Sequence, residues 1–289
     1  MPERSSLRPT VIDLALDDDA LRPACVGVLD SLSPTLALVN HGCEAKLRDL
    51  AAAMRRRIGG VGGSAVGDQP VAQQAHDIDG TLAPKAEDVR GCLRNVCMRV
   101  LGIALGDGAL DATLAARGLE VHGRLCLREY PREREAADAD ASVPDIAAAS
   151  HEGEPDGGPV PRLGAHCDNT LLTLLWADGP GLEVLDPSRA NDWAPEAVLR
   201  YGLPTMGETS EMAELRHDQW AAIDLDWTRD PLLLTVGTAW LSNELVAAAC
   251  PARCAVLHRV VVPPGRARHS LPFLVDLVPR VTESPPQSA

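Results

Sequence analysis

The spacing of apolar residues changes partway along the chain. In three early segments apolar side chains recur every three or four positions, which predicts amphipathic helices. These segments are 19–32, 43–58 and 85–106. Short apolar runs at 10–16 and 35–43 predict two strands among the helices, and the Gly-rich stretch 59–77 predicts a loop. Residues 9–115 are therefore expected to form a mixed, mainly helical region.

From residue 119 onward the spacing is typical of strands. Apolar and polar residues alternate over 119–131, and after residue 163 short apolar runs are separated by Gly, Pro and Asp. The later strands are predicted at 170–176, 181–185, 232–236, 254–262 and 268–277. Many short strands preceded by helices indicate a β-sandwich or barrel core with a helical flank. We place this core at 116–280.

Two segments interrupt the strand pattern. Residues 132–162 are acidic, rich in Ala, Pro and Gly, and nearly devoid of large apolar side chains, which predicts a surface loop. Residues 186–219 mix helix-like and loop-like patterns between two predicted strands. Both segments are candidates for lids that select a substrate.

Composition excludes several classes of partner. The formal net charge is −14, and the basic residues cluster only in the short run 54–57, so nucleic acid and anionic membrane surfaces would be repelled. No apolar stretch approaches the roughly 20 residues needed to span a bilayer, and residues 1–10 lack the apolar segment of a secretory signal. A cytoplasmic protein is expected, with its eight cysteines as free thiols rather than a disulfide framework.

A candidate metal site precedes one of the apolar runs. His166 and Asp168 are two residues apart in "GAHCDNTLLTLLW", and side chains at i and i+2 of an extended chain face the same way. His258, in the apolar segment "CAVLHRVVV", is the candidate third ligand. Two histidines and one carboxylate form the facial set that holds non-haem Fe(II) and leaves open positions for substrate and oxygen.

A candidate anion clamp follows ten residues later. Arg268 and Ser270 share one strand face, and the turn predicted in "VVPPGRA" brings them close to His258. This proximity holds whether the second strand forms a hairpin or crosses to the facing sheet. A guanidinium grips a carboxylate bidentately, and a neighbouring hydroxyl adds a donor. A dicarboxylate could thus bind the metal at one end and the arginine at the other.

These segments resemble the isopenicillin N synthase-like group of Fe(II)/2-oxoglutarate-dependent dioxygenases. The similarity is spread over "VIDLAL", "LALVNHG", "LREYP", "GAHCDNTLLTLLWADGPGLEVLD", "LLLTVGTAWLSNE" and "HRVVVPPGRARHSLPFLVD". The resemblance implies a mixed, β-rich fold, with a jelly-roll (double-stranded β-helix) core and an N-terminal helical region. It implies iron at His166, Asp168 and His258. It further implies 2-oxoglutarate at Arg268 and Ser270, with Tyr130 as an additional contact.

The same resemblance implies the chemistry. A small-molecule substrate would be hydroxylated, desaturated or cyclised with O2, and 2-oxoglutarate would be converted to succinate and CO2, with ascorbate as a reductant. Departures from the family pattern lie at 186–219, which is an insertion if Trp220 is the tryptophan that normally follows the first motif. A second departure is Gly237-Thr238, where most members have Gly-Asp. Neither removes a predicted ligand.

Three other interpretations remain open on the sequence. An iron oxidase of the same fold would use Arg268 and Ser270 for the carboxylate of its substrate and consume no 2-oxoglutarate. A jelly roll could instead bind a small acid or a partner without catalysis. The segment "CPARCAVLH" offers Cys250, Cys254 and His258 for zinc, but no second cysteine pair completes four ligands. The substrate itself and the oligomeric state are not indicated.

Overall fold

The computed structural model describes residues 6–29, 35–60, 74–76, 82–130, 161–186, 219–249, 255–262 and 266–280. The N-terminal elements among them are β1 (Ser6–Leu7), β2 (Thr10–Asp13), α1 (Asp18–Leu29), β3 (Thr35–Val39), α2 (Glu44–Gly60), β4 (Gln74–His76), α3 (Ala83–Leu105) and α4 (Leu110–Ala116). The three predicted helices are confirmed. The loop prediction for 59–77 is wrong at β4, which adds to a sheet edge, and α4 was not anticipated.

Helix α3 runs for 23 residues behind the sheets. Its apolar positions, including Val89, Leu93 and Val100, are buried, while the opposite positions carry charges. Gly106 ends it in the left-handed conformation (φ 66°), which glycine adopts without a Cβ penalty. No helix in the described part of the chain combines the length and the apolar character needed to cross a membrane.

The remaining elements form the strand-rich core. They are β5 (Leu119–Leu125), β6 (Leu127–Tyr130), β7 (Leu163–His166), β8 (Leu172–Ala177), β9 (Leu182–Leu185), β10 (Trp220–Ile223), β11 (Leu232–Val236), α5 (Thr238–Ser242), α6 (Glu244–Ala249), β12 (His258–Val260) and β13 (Arg268–Pro279). The strand predicted over 119–131 is divided at Cys126, and the one predicted over 254–262 is shorter than expected.

These strands make two sheets. One has five strands in the order β1-β10-β9-β12-β7, and the other has eight, with β2-β3-β11-β8-β13-β6-β4 in one path and β5 paired with β13. Strands β12 and β13 therefore lie in different sheets, the second of the two geometries expected for His258 and Arg268. Two facing sheets with a helical flank are the arrangement expected of a jelly roll.

The central strands of the eight-stranded sheet are largely buried on both faces. Along β13, Leu271, Phe273 and Val275 belong to the large core shared with the helices, and the alternate residues point between the sheets. Strands β8 and β11 divide in the same way, with Leu174 and Leu234 on the helical side. The helices therefore support the sheet from behind, and its opposite face is left for the site.

The prediction that all eight cysteines are free thiols is wrong for two of them. Cys43, just before α2, and Cys92, in α3, form a disulfide with a Cα–Cα distance of 5.9 Å. Among the described residues, the cysteines at 25, 97, 126 and 167 are free thiols. The two half-cystines are 49 residues apart, so their pairing depends on how α2 and α3 pack, which spacing alone does not reveal.

The two interrupting segments lie almost entirely outside the described residues. The ends of the second are described: the Asp186 N–H donates to the Gln219 carbonyl at 2.9 Å, and Leu185 pairs with Trp220 across β9 and β10. The chain thus leaves and re-enters the five-stranded sheet between adjacent antiparallel strands. An insertion at this point leaves the pairing of the sheet unchanged.

Candidate functional site

A cavity of about 340 Å³ lies between the two sheets. Its walls come from both of them: Arg128, Tyr130, Leu163, His166, Asp168, Thr173, Leu175, Leu182, Thr235, His258, Val260, Arg268, Ser270, Pro272 and Leu274. All six site residues predicted from the sequence line this cavity. A larger cleft of about 600 Å³ beside α1, α3 and α4 is lined without any histidine or cysteine. We therefore assign the candidate site to the smaller cavity.

Three potential metal ligands converge on one side of the cavity. His166 and His258 are paired opposite each other in β7 and β12, and their ring centroids are 4.3 Å apart. Asp168 lies two residues beyond the end of β7, with its Oδ1 3.8 Å from the His166 Nε2. Potential ligand atoms of the three residues all lie within 4.8 Å of one another. Asp168 thus faces the cavity with His166, as the predicted alternation of the extended chain requires, while Cys167 between them packs elsewhere.

Hydrogen bonds to the backbone orient both imidazoles. The Nδ1 of His166 is 2.9 Å from the Gly164 carbonyl oxygen, and the Nδ1 of His258 is 3.0 Å from the Val256 carbonyl oxygen. A carbonyl only accepts, so each Nδ1 is assigned the proton and each Nε2 keeps its lone pair. Burial, with His258 nearby, lowers the pKa of His166 to about 4. His166 is thus neutral at neutral pH, with its Nε2 lone pair available to a cation.

Asp168 has two contacts that sequence reasoning did not identify. The Thr173 hydroxyl donates to its Oδ2 at 2.5 Å, and the Thr238 N–H donates to its backbone carbonyl at 2.9 Å. Gly237, where most members of the resembling group also have glycine, is required sterically: a Cβ there would lie 2.0 Å from the Thr170 carbonyl oxygen. The alternation of β8 places Thr173 on the cavity face, but only the turn geometry brings it to Asp168.

A buried arginine lies across the cavity from the histidines. The Arg268 side chain is 2% exposed, and its Cζ lies 5.4 Å from the centroid of the Tyr130 ring. Among the residues that the structure describes, neither its Nη1 nor its Nη2 has a hydrogen-bond partner. Burial lowers the pKa of Arg268 and raises the pKa of Tyr130. A buried guanidinium with two unused donors is costly unless an anion binds to it.

His269, which follows Arg268, holds the start of β13 in place from the face opposite the cavity. The His269 Nδ1 is 2.7 Å from the Asp178 Oδ2, and the His269 backbone N–H donates to the Asp178 Oδ1 at 2.9 Å. The same carboxylate accepts from Arg55 at 3.2 Å. These contacts tie the start of β13 to the end of β8. Arg268 and Ser270 are thus held in register on the opposite face.

The ionic state of Asp178 should make stability depend on pH. Burial raises the pKa of Asp178, but the hydrogen bonds from His269 outweigh it, and the folded pKa lies below the ordinary 3.8. A lowered folded pKa contributes stability above pH 4 that is lost as the pH falls through the folded pKa. We expect Asp178→Asn to lose about 1 kcal/mol of unfolding free energy at neutral pH, a value reduced for partial exposure.

Urea titrations at a series of pH values would measure this difference. It should be constant above about pH 4 and shrink below it. The matched control is Asp49→Asn, because Asp49 is exposed on α2 and should leave the curve unchanged. A difference between Asp178→Asn and the unchanged protein that persists undiminished at low pH would contradict the assignment.

Other sequence predictions concern the cysteines. Cys167, between two of the converging residues, is 2% exposed and packs with Leu185, Trp220 and Leu257 on the far face of the five-stranded sheet. It therefore points away from the cavity, as predicted. The alternative zinc set involves 250 and 254, which lie outside the described residues. His258, its third member, lies in the cluster with His166 and Asp168.

Solved structures similar to this chain share one fold. A protein from Shewanella oneidensis described as an oxygenase matches with a TM-score of 0.58 and 14% identity, over 93% of this chain and 90% of that one. JOX2, crystallised with 2OG, Fe and JA, matches with a TM-score of 0.57 and 18% identity, over 94% and 76%. The Arabidopsis thaliana dioxygenase for auxin oxidation, crystallised with 2-oxoglutarate, matches at 0.54 and 13%, over 93% and 92%.

Sequence comparison adds nothing to this likeness, since no protein-family profile and no curated protein match the chain. The structural matches cover nearly the whole chain at 13–18% identity, a level at which they show the fold. The chain has the jelly-roll fold of the 2-oxoglutarate-dependent oxygenases. The predicted fold class is confirmed.

Proposed function

We propose that the protein is a non-haem Fe(II)- and 2-oxoglutarate-dependent oxygenase that acts on a small molecule. The observation that carries the proposal is the composition of one cavity. It has a His166–Asp168–His258 cluster on one side and, on the other, a buried Arg268 whose Nη1 and Nη2 have no hydrogen-bond partner among the described residues. The similar solved structures support the reaction class through their shared fold. The substrate and the type of oxidation are part of the proposal.

The donor set fits Fe(II). Two neutral imidazole nitrogens and one carboxylate oxygen are the ligands of the facial triad, and they leave positions open for other ligands. His166 and His258 would bind through Nε2, since each Nδ1 is engaged by a backbone carbonyl. Asp168 would bind through the oxygen that Thr173 does not occupy. Thr173 would then be the group that orients the carboxylate.

The opposite wall fits the distal carboxylate of 2-oxoglutarate. Arg268 offers two N–H groups in the fork that matches a carboxylate, and Ser270 lines the same cavity two residues later. Tyr130 closes this end, beneath the guanidinium. Such an anion would remove the cost of the buried cation. When bound, iron and 2-oxoglutarate would supply the oxidising chemistry, with succinate and CO2 as products.

The protein's own contribution is position and exclusion of water. Leucines at 163, 175, 182 and 274 and Val260 make the remaining walls apolar. At about 340 Å³ the cavity is near the lower end of the range for small-molecule sites, ~300–1,000 Å³. A small substrate would lie against these walls with its reacting carbon toward the histidines. The segments 132–162 and 186–219 remain candidate lids.

Anaerobic titration tests the proposal. Fe(II) followed by 2-oxoglutarate should give the weak visible charge-transfer band of the chelate, and addition of O2 should release succinate. Oxygen uptake by the iron-loaded protein without succinate would favour the iron oxidase that uses no 2-oxoglutarate. Failure to bind Fe(II) would favour the non-catalytic jelly roll instead.

The role of Thr173 can be tested by removing its hydroxyl. Thr173→Val keeps the shape of the side chain but leaves Asp168 without the donor to its Oδ2. We expect Fe(II) affinity to fall about 10- to 100-fold, as is typical when a group that orients a metal ligand is lost. Anaerobic calorimetry would measure it. Thr235→Val, which alters another threonine of the same cavity, is the matched control, and equal effects of both substitutions would contradict the role.

A further inference from the structure

A buried ion pair lies directly beside the proposed metal ligand His258. The Arg259 Nε donates to the Glu183 Oε2 at 2.8 Å, and the two side chains are only 3% and 4% exposed. The Arg259 Cζ also lies 4.5 Å from the centroid of the Trp220 ring. Because side chains alternate along a strand and His258 faces the cavity, Arg259 lies on the outer face of the five-stranded sheet. The pair thus lies outside the cavity.

Arg259 and Glu183 occupy directly opposed positions in neighbouring antiparallel strands. The consecutive pairs between β12 and β9 are His258–Val184, Arg259–Glu183 and Val260–Leu182. This side of β12 therefore has a regular ladder. Side chains at opposed positions on one face are close enough to interact. The ion pair thus links the two strands at the residue that follows His258.

The pairing of β12 on its other side is irregular. His258 pairs with His166 and Val260 with Leu163, so β7 advances by three residues while β12 advances by two. Strand β7 also stands at the end of the strand order of this sheet, and its residues are only partly buried. The regular ladder to β9 is therefore the pairing that sets the register of β12, and with it the position of His258 opposite His166.

The apolar side chains around β12 do not specify this register. The buried apolar residues of the segment are Val256, Leu257, Val260, Val261 and Val262. They occupy both faces of the strand, and β9 is buried along its whole length as well. A shift of one residue would turn His258 to the outer face, while apolar side chains would still meet apolar side chains. The shift would, however, separate Arg259 from Glu183, and buried charges without their partners are strongly unfavourable.

We propose that Glu183 and Arg259 are positioning residues, which act through the register of β12 to hold His258 opposite His166 for iron binding. This inference rests on the proposed function and adds to it two residues outside the cavity. A buried ion pair contributes little net stability compared with apolar side chains of similar size. Its effect here is to favour one register of an otherwise apolar strand pair. Without the ion pair, His258 would face the cavity for only part of the time.

The test replaces the pair by apolar side chains of similar length. In Glu183→Leu/Arg259→Met both charges are removed together, so no unpaired charge is left inside the sheet. We expect the urea midpoint of the metal-free protein to stay the same or to rise. The Fe(II) dissociation constant, measured by anaerobic calorimetry on the full-length protein, should rise about tenfold or more. Loss of a purely structural contact would instead lower the urea midpoint.

Two further variants connect the effect to the ion pair. Arg259→Lys keeps a charge opposite Glu183 but loses the planar fork, so its Fe(II) affinity should lie between those of the unchanged protein and the double variant. Leu257→Met is the matched control, because Leu257 is buried on the same outer face and is the other chain neighbour of His258. A substitution of similar volume is tolerated in a core, so Fe(II) affinity should stay unchanged.

The contrary results separate this inference from the proposed function. If the double variant binds Fe(II) as tightly as the unchanged protein, or if Leu257→Met loses as much affinity, the inference is wrong while the proposed function stands. If the urea midpoint of the double variant falls together with its Fe(II) affinity, the pair is a structural element of the sheet, and the inference is also wrong. If the unchanged protein itself binds no Fe(II), the proposed function fails.

Discussion

Replacing Arg268 by methionine is expected to weaken 2-oxoglutarate binding and to stabilise the ligand-free protein at the same time. The guanidinium has two N–H groups without partners among the described residues, so a bound carboxylate would gain two charge-assisted hydrogen bonds. Their loss should cost about 2–4 kcal/mol of binding free energy, which is roughly a 30- to 1,000-fold rise in the dissociation constant.

The gain in stability follows from the same unused donors. Arg268 is 2% exposed, and among the described residues its charge is stabilised by Tyr130, by Asp178 and by a 3.4 Å contact from its Nε to the Gly179 carbonyl oxygen. Methionine fills much of the same volume without a charge. We expect the free energy of unfolding to rise by about 1–3 kcal/mol without ligand, because an unsatisfied buried polar group is removed.

For Arg268→Met, the affinity for 2-oxoglutarate should therefore fall while the free energy of unfolding rises. Calorimetry gives the 2-oxoglutarate affinity, and urea unfolding without ligand gives the stability. Arg266→Met is the matched control, since Arg266 is exposed two residues earlier and should change neither quantity. Loss of stability together with unchanged affinity would show that Arg268 is a structural residue. The substrate-carboxylate alternative predicts unchanged 2-oxoglutarate affinity with a gain in stability.

The sequence was sufficient for the parts of the site that depend on strand periodicity. Arg268 and Ser270 share a face because they are two apart in β13, and Cys167 faces away because it is one residue from His166. Both relations are local and survive any arrangement of the sheets. His258 was proposed as the third ligand from its place in an apolar strand, but its pairing with His166 across β7 and β12 is not local and was not predicted.

What the sequence did not reveal depends on tertiary geometry. Thr173 reaches Asp168 across the turn that follows β7, and no periodic pattern encodes that approach. The disulfide between Cys43 and Cys92 requires the packing of α2 against α3. In each case the sequence shows the residue but does not show which residue it contacts in the fold.

Substitution of either predicted histidine ligand is expected to weaken Fe(II) binding strongly. His166→Ala and His258→Ala each remove one of three converging ligand atoms, so we expect Fe(II) affinity to fall by more than the ~10- to 100-fold seen when only an orienting group is lost. A metal that binds the folded state at 100 times its dissociation constant adds about 2.7 kcal/mol to the free energy of unfolding. That metal-dependent gain should be present in the unchanged protein and absent in both variants.

Cys167→Ala provides the local control for these substitutions. It changes a buried side chain between two of the proposed ligands but on the opposite face of the sheet, so it should lower stability slightly and keep the metal-dependent gain. Anaerobic unfolding with and without Fe(II) separates the two effects, because the gain is a difference within each variant. A gain that persists in the His166→Ala/His258→Ala double variant would place the metal elsewhere, and the Arg268 clamp would then have to be explained without iron beside it.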